Sequence, residues 1–292
     1  MNNASSMSTK TVTLCAYAKI NIHLKVLAKR SDGFHTIESI FQRISLADNL
    51  SITKYEGLSG CHIESPLMQL PAENTLTRAW DVFKESAGID GGIAVRVLKN
   101  LPAGSGIGAG SADAAAFLQA LNALFNTSFR LAELERLALQ IGSDVPFFLK
   151  GGAAVVGGRG EVFYPLKARS DCFGILICPQ IHSSTKEAYS LLDTLRNSGA
   201  DEAFGFENLE RHYNSPFTDW CFVNDFQPVL EGQYPIIAEA VSDLYEQGAD
   251  FARMSGSGSA VFGLFSAAEK ASCAVKALSG KWAWCRTFVL LA

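Results

Sequence analysis

A loop of alternating glycines that runs straight into an alanine-rich helix constrains this chain more than any other stretch of it. The segment LPAGSGIGAGSADAAAFLQALN, Leu101 to Asn122, carries Gly104, Gly106, Gly108 and Gly110 at every second position. Residues without a Cβ let a backbone wrap an anion closely and adopt positive φ without strain. A helix expected to begin near Ser111 or Ala112 offers free N–H groups and the positive end of its dipole at the same place. Ser105 and Ser111 add hydroxyl donors, while Pro102, Ala103, Ile107, Ala109 and Ala112 complete the run. The plainer reading is a tight turn feeding a closely packed helix. The glycine alternation together with the helix start favours phosphate binding.

Two familiar phosphate loops do not fit. Gly104, Gly106 and Ala109 match G-x-G-x-x-A, but a dinucleotide fold requires a strand after the helix. Here RLAELERLALQIG follows with leucines at helical spacing, so a second helix is expected, and a nicotinamide-dependent oxidoreductase is disfavoured. The G-x-x-x-x-G-K-[ST] pattern is absent; Gly280-Lys281 is followed by Trp282. A net charge of −4 argues against nucleic acid as the main partner. A phosphate loop in an acidic chain points instead to a small phosphorylated ligand carrying Mg²⁺.

The length of 292 residues allows a large core and two domains. The seven cysteines form no CxxC pair and no zinc-spaced cluster with histidine, so they are expected to be reduced core thiols of a cytoplasmic protein. Residues 1–10 are polar and are expected to form a disordered tail. No membrane span is expected, because no apolar run approaches the required length. Oligomeric state is not legible.

Alternation predicts one or two strands over Thr11–Ala28, a turn followed by strand-like alternation in SDGFHTIESIFQRISLADNLSITKY, and a strand in GIAVRVLKNLP. Helical periodicity marks Asn74 to Gly88, two helices after the glycine loop, and the segments STKEAYSLLDTL, YPIIAEAVSDLYEQG and SAAEKASCAVKALS. GGAAVVGGRGEVFYPL reads as a hairpin, and CFGILICP and WCRTFVLL as strands. The order lacks regular βαβ repeats, so the class expected is α+β. A boundary near residues 167–171 separates an N-terminal domain, 11–168, from a C-terminal one, 169–292. NSGADEAFGFENLERHYN, Asn197 to Asn214, has no legible role.

Two further stretches look chemical. AYAKINIHL places Lys19 and Asn21 on one face of a strand. IGSDVPFFL puts Asp144 between a helix end and Pro146. Taken singly, Lys19 reads as a solvated edge lysine and Asp144 as a turn or cap residue. MSGSGSAVF, Met254 to Phe262, supplies a second glycine-serine turn suited to closing over a nucleotide.

Together AKIN, PAGSGIGAGSADAA and MSGSGSAVF resemble, in order and separation, the three signature motifs of the GHMP small-molecule kinases. RSDGFHTIESIFQ, IGSDVPFFLKGGAAVVGGRGE, STKEAY and NDF (Asn224 to Phe226) are similar to the branch acting on a cytidine diphosphate-linked methylerythritol. The resemblance runs from about Leu14 to the C-terminus. It implies a two-domain GHMP kinase fold: an N-terminal domain like ribosomal protein S5 domain 2, a ferredoxin-like C-terminal domain, and ATP and substrate in the cleft between them. It also implies an ATP phosphate loop from Pro102 to Ala112, Asp144 as the catalytic base and Lys19 as its partner. Phe34 and His35 would grip the cytosine, with Asn21 near the transferred phosphoryl group. Phe34 replaces a common tyrosine, and Ala112 and Asp113 replace a common Ser-Asn. Asp113 is expected in the helix's first turn, facing outward and leaving ATP alone. Alternatives are another GHMP kinase, of homoserine or mevalonate type, and a non-catalytic nucleotide sensor.

Overall fold

The computed structural model describes residues 10–55, 57, 59–181, 183–195 and 203–292. The expected N-terminal tail lies, up to residue 9, outside the described residues. The chain forms two compact units, each built from discontinuous segments. One takes the chain up to Tyr17 with Ala47–Leu101 and Ala109–Lys150; the other takes Ala18–Leu46, Pro102–Gly108 and Gly151–Ala292. The long strands β1 (Lys10–Lys29) and β2 (His35–Tyr55) contribute to both.

In the first unit the end of β2 pairs antiparallel with β4 (Gly92–Leu98), Asn49 opposite Leu98, and β4 pairs in parallel with β3 (Gly60–Glu64). Helices α1 (Thr75–Ala87), α2 (Ala109–Phe125), α3 (Leu131–Ile141) and the short α4 (Val145–Lys150) complete it. The start of α1 is fixed by Asn74, whose Oδ1 accepts from Leu76 N at 2.9 Å and Thr77 N at 3.2 Å. Thr77 Oγ1 accepts in return from Asn74 N at 2.9 Å, a reciprocal cap that stabilises a helix by about 1 kcal/mol. Gly88, at φ 61°, ends the helix in the left-handed region.

Helix α2 begins at Ala109, earlier than the expected start near Ser111 or Ala112. The reason is local. Gly104, Gly106 and Gly108 have positive φ but Gly110 does not, so the fourth glycine lies inside the helix rather than in the loop. The buried alanines 112, 114, 115, 116 and 120 let α2 pack closely on α1 and α4.

In the second unit the first half of β2 pairs with β5 (Ala153–Gly157), which forms the expected hairpin with β6 (Val162–Leu166). A separate antiparallel sheet has the order β10 (Cys285–Val289), β7 (Phe173–Ile177), β9 (Val261–Phe265), β8 (Phe251–Met254). Helices α5 (Thr185–Leu195), α7 (Phe226–Gln233), α8 (Pro235–Glu246) and α9 (Ala268–Leu278) share its core, with Ile175, Val261, Phe265, Leu230, Leu244 and Ala274 buried together.

Helix α6 (Phe206–Tyr213) lies in the segment without a legible role, whose residues 197–202 fall outside the described residues. It is held from a distance: buried Glu38 accepts from Phe204 N at 2.6 Å and Gly205 N at 3.0 Å, at the start of the helix. The free cysteines divide differently from the expectation. Cys172, Cys178 and Cys285 are buried, but Cys15, Cys221 and Cys273 are exposed. Among the described residues no helix is long and apolar enough to cross a membrane.

Candidate active site

Lys19 is no solvated edge lysine. It is 3 % exposed, its ammonium donates to Asn21 Oδ1 and, at 3.3 Å, to Gly106 O, and it lies 4.4 Å from the centre of the Phe41 ring. The alternation of β1 therefore does bring Lys19 and Asn21 to one face. Asn21 is also buried, donating Nδ2–H to Ser39 Oγ at 3.0 Å, while its backbone N–H donates to Ser255 Oγ at 3.1 Å. Both ends of the Asn21 amide are thus committed, which fixes its orientation toward Lys19.

The glycine loop and the Met254–Phe262 turn are built as one piece within this unit. Ala260 N donates to Ser105 O at 3.0 Å, and Ser255 Oγ donates to Gly106 O at 3.0 Å. Lys19 N donates to Ile107 O at 3.0 Å, so the loop is tied to β1 as well. Gly106, at φ +80°, approaches so closely that a Cβ there would stand 2.1 Å from Ser255 O. Ser105 Oγ bonds Pro102 O at 2.8 Å and shapes the loop's entry.

Phe34, at the turn before β2, is 56 % exposed, with the Arg159 guanidinium over its ring 4.9 Å from the centre. His35 beside it is fixed. Its Nδ1 lies 2.9 Å from Leu27 O, its Nε2 lies 3.0 Å from Asp193 Oδ1, and its ring stacks on Tyr189 at 5.4 Å. Lys29 holds the same Asp193 at 3.0 Å. The exposed Phe34 ring suits a flat heterocycle that stacks, while both ring nitrogens of His35 face groups of this chain.

Asp144 belongs to the first unit. It sits half-buried in the turn between α3 and α4, directly before Val145, and Ser143 Oγ lies 3.4 Å from its Oδ1. Asp113 departs from expectation. With α2 starting at Ala109, Asp113 falls in the second turn, on the stripe that also buries Phe117, Ala120, Leu121 and Leu124. It faces inward at 3 % exposure and pairs with Lys99, whose Nζ is 2.6 Å from its Oδ2. Lys99 also pairs with the fully buried Asp48. Burial pushes the Asp113 carboxyl up to about 6, against the pull of Lys99 and with Asp48 adding to the rise. Burial opposes the Lys99 charge, but the two carboxylates outweigh it and hold its pKa above the usual lysine value. Nothing in the sequence marks Asp48 and Lys99 as partners, because they lie 51 residues apart.

His23, two places beyond Asn21, is 2 % exposed, and its Nδ1 accepts from Val223 N at 3.2 Å. Burial and then the nearby Lys25 charge push its imidazole from 6.5 down to about 4. Above pH 6.5 it is neutral in both folded and unfolded chains. Between 6.5 and 4 the unfolded chain takes the proton and the folded chain does not, so stability falls as pH falls. We expect this histidine to cost about 2 kcal/mol of stability between pH 7 and pH 5. Urea unfolding of His23→Gln, which keeps an acceptor, should show that much less acid sensitivity. An unchanged pH dependence would refute the assignment.

The model of the GHMP kinases N terminal domain matches residues 74–152, and that of the GHMP kinases C terminal domain matches residues 206–280. A 4-diphosphocytidyl-2-C-methyl-D-erythritol kinase from Treponema pallidum is 44 % identical over 94 % of this chain and 97 % of its own length. The chain belongs to the GHMP kinases. A crystal structure of 4-(cytidine 5'-diphospho)-2C-methyl-D-erythritol kinase superposes with a TM-score of 0.82 at 31 % identity, covering 96 % of this chain and all of the other. The homoserine kinase of Cytophaga hutchinsonii shares the fold, with a TM-score of 0.70 at 18 % identity over 100 % of this chain and 97 % of its own. The expected two-domain GHMP kinase fold of class α+β is thus borne out.

GHMP kinases use ATP as co-substrate. Among the described residues of this GHMP kinase, no group of three or more His, Cys, Asp or Glu side chains is placed to cage a metal, and Asp113 is held by Lys99. The Ser111 hydroxyl, in the first turn of α2 and only partly buried, is an oxygen of the kind that suits a Mg²⁺ ion carried by nucleotide phosphates, which keeps several waters and needs few protein ligands.

Proposed function

We propose that this chain transfers the γ-phosphoryl group of ATP to the 2-hydroxyl of 4-diphosphocytidyl-2-C-methyl-D-erythritol, in non-mevalonate isoprenoid precursor synthesis. The observation that carries the reading is the 44 % identity, along nearly the full length of both chains, to a kinase so named. The homoserine and mevalonate alternatives are not favoured, because the homoserine kinase match stands at 18 % and the L. major mevalonate kinase match at 16 %. A non-catalytic sensor has less support still, because both Lys19 and Asp144 are retained.

In this reading the loop from Pro102 to Ala112 receives the triphosphate on its backbone N–H groups. Asp144 takes the proton as the substrate oxygen attacks the γ-phosphorus and the bond to the bridging oxygen of ADP breaks. Lys19 offsets charge on the transferring group, and Asn21 holds that ammonium in place. Phosphoryl transfer depends on such positioning and charge neutralisation more than on covalent chemistry. The Ser111 hydroxyl would be this chain's oxygen donor to a Mg²⁺ ion carried by the ATP phosphates, which would supply further charge neutralisation. Phe34 stacks on the cytosine, and His35 bonds its edge, its Nε2 giving up the Asp193 contact for the base. The N-terminal kinase domain runs to residue 168 and the C-terminal one from 169, and the enzyme works in the cytoplasm.

An ATP-consumption assay offering the cytidine-linked substrate, mevalonate and homoserine in parallel tests the reading. Turnover only with the first is expected, and turnover with either of the others overturns it. Phe34→Ala should weaken the cytidine substrate by about 1–3 kcal/mol, the scale of base–aromatic stacking, and leave ATP unaffected. Equal weakening of both would show a packing defect instead.

A further inference from the structure

We infer that Asp48, Lys99 and Asp113 are positioning residues that pin both stems of the phosphate loop, and so set its affinity for nucleotide. The inference rests on the proposed nucleotide site. Upstream of the loop, Asp48 Oδ1 accepts from Asn100 N at 2.6 Å and Leu101 N at 2.9 Å. Those are the last two residues before Pro102. Lys99, next to them in the chain, reaches Asp48 and Asp113 together. Asp113 lies one helical turn beyond Ala109, where α2 begins. One ammonium therefore ties the residues that enter the loop to the helix that leaves it.

Three observations separate this cluster from an ordinary ion pair. All three side chains are buried, at 0 %, 8 % and 3 % exposure for Asp48, Lys99 and Asp113. Asp113 Oδ1 is buried without a hydrogen-bond partner, so the Lys99 bond to Oδ2 is what balances that carboxylate's charge. The cluster has two carboxylates to one ammonium, an arrangement that apolar residues would replace with little loss if stability were its purpose. The best-attested use of such buried charge is to select a single arrangement of the backbone. A phosphate loop needs that, because its N–H groups must be aimed before the anion arrives.

The test is calorimetric titration of the full chain with ADP and, separately, with CDP, alongside thermal unfolding. Asp113→Leu removes the acceptor and leaves the Asp48–Lys99 pair neutral. It should bind ADP at least tenfold more weakly, with CDP affinity within twofold of wild type. Asp113→Asn keeps an oxygen for Lys99 and should hold ADP within threefold. A merely structural role would lower the number of binding-competent molecules for both ligands equally and leave Kd unchanged; that outcome, or ADP affinity in Asp113→Leu within twofold of wild type, overturns the inference. Should Asp113→Leu fail to fold, Lys99→Met with Asp113→Leu leaves one carboxylate, itself held by two backbone N–H groups, and is judged by the same criterion. Absence of ADP binding by the wild-type chain overturns the nucleotide site itself, and this inference with it.

Discussion

Asp144→Asn should turn over two to four decades more slowly than the wild-type chain, roughly the range for losing a general base, while ATP and the cytidine substrate bind almost as before. The substitution keeps size and polarity, so the turn between α3 and α4 keeps its shape. What goes is the ability to accept the proton of the attacking hydroxyl. The signature of the role is a fall in kcat and kcat/KM together with little change in substrate affinity. Steady-state kinetics with direct titration of both ligands separates this from a folding defect. Turnover within a few-fold of wild type would reduce Asp144 to a turn residue.

Gly106→Ala should cost about 2–5 kcal/mol of stability, combining the left-handed backbone penalty with overpacking. At φ +80° the new Cβ would meet Ser255 O at 2.1 Å and Gly258 N at 3.0 Å, both main-chain atoms that no rotamer change can move. The loop must then part from the Met254–Phe262 turn, breaking the bonds of Ser255 Oγ and Lys19 Nζ to Gly106 O. Nucleotide binding should fall with it. Gly280→Ala is the matched control, since a Cβ there meets nothing within 4 Å. Denaturant unfolding of the two variants reads the difference, and a Gly106→Ala loss under about 0.5 kcal/mol, the ordinary surface level, would contradict the geometry.

Short elements were the ones hidden from sequence reading. The strand β3 and the helices α4, α6 and α7 span five to eight residues, too few for a period to declare itself. Helix α6 does carry a buried stripe, Leu209 and Tyr213 four residues apart, but two apolar positions in eight residues are too few to declare a period, and its start depends on Glu38 far upstream. Elements with a boundary signal were legible even when short: Asn74 and Gly88 mark α1, and the glycine pairs at 151–152 and 157–158 mark the two ends of β5.

By itself the sequence determined the motifs and their order, the α+β class, the pairing of Lys19 with Asn21 across one strand face and the glycine requirement of the loop. These follow from local geometry, since side-chain period and backbone φ depend on near neighbours alone. Only the tertiary structure decided that Lys19 is buried under Gly106 and Phe41, that the Ser255 turn is bonded to the loop, and that Asp113 faces inward to Lys99. Each of those depends on atoms brought together from distant segments. The charge on Asp113 gave the opposite hint, because a carboxylate is expected in water unless a partner elsewhere in the chain outweighs its desolvation. That partner is set by where β4 ends relative to α2, which is a property of packing and not of any local pattern.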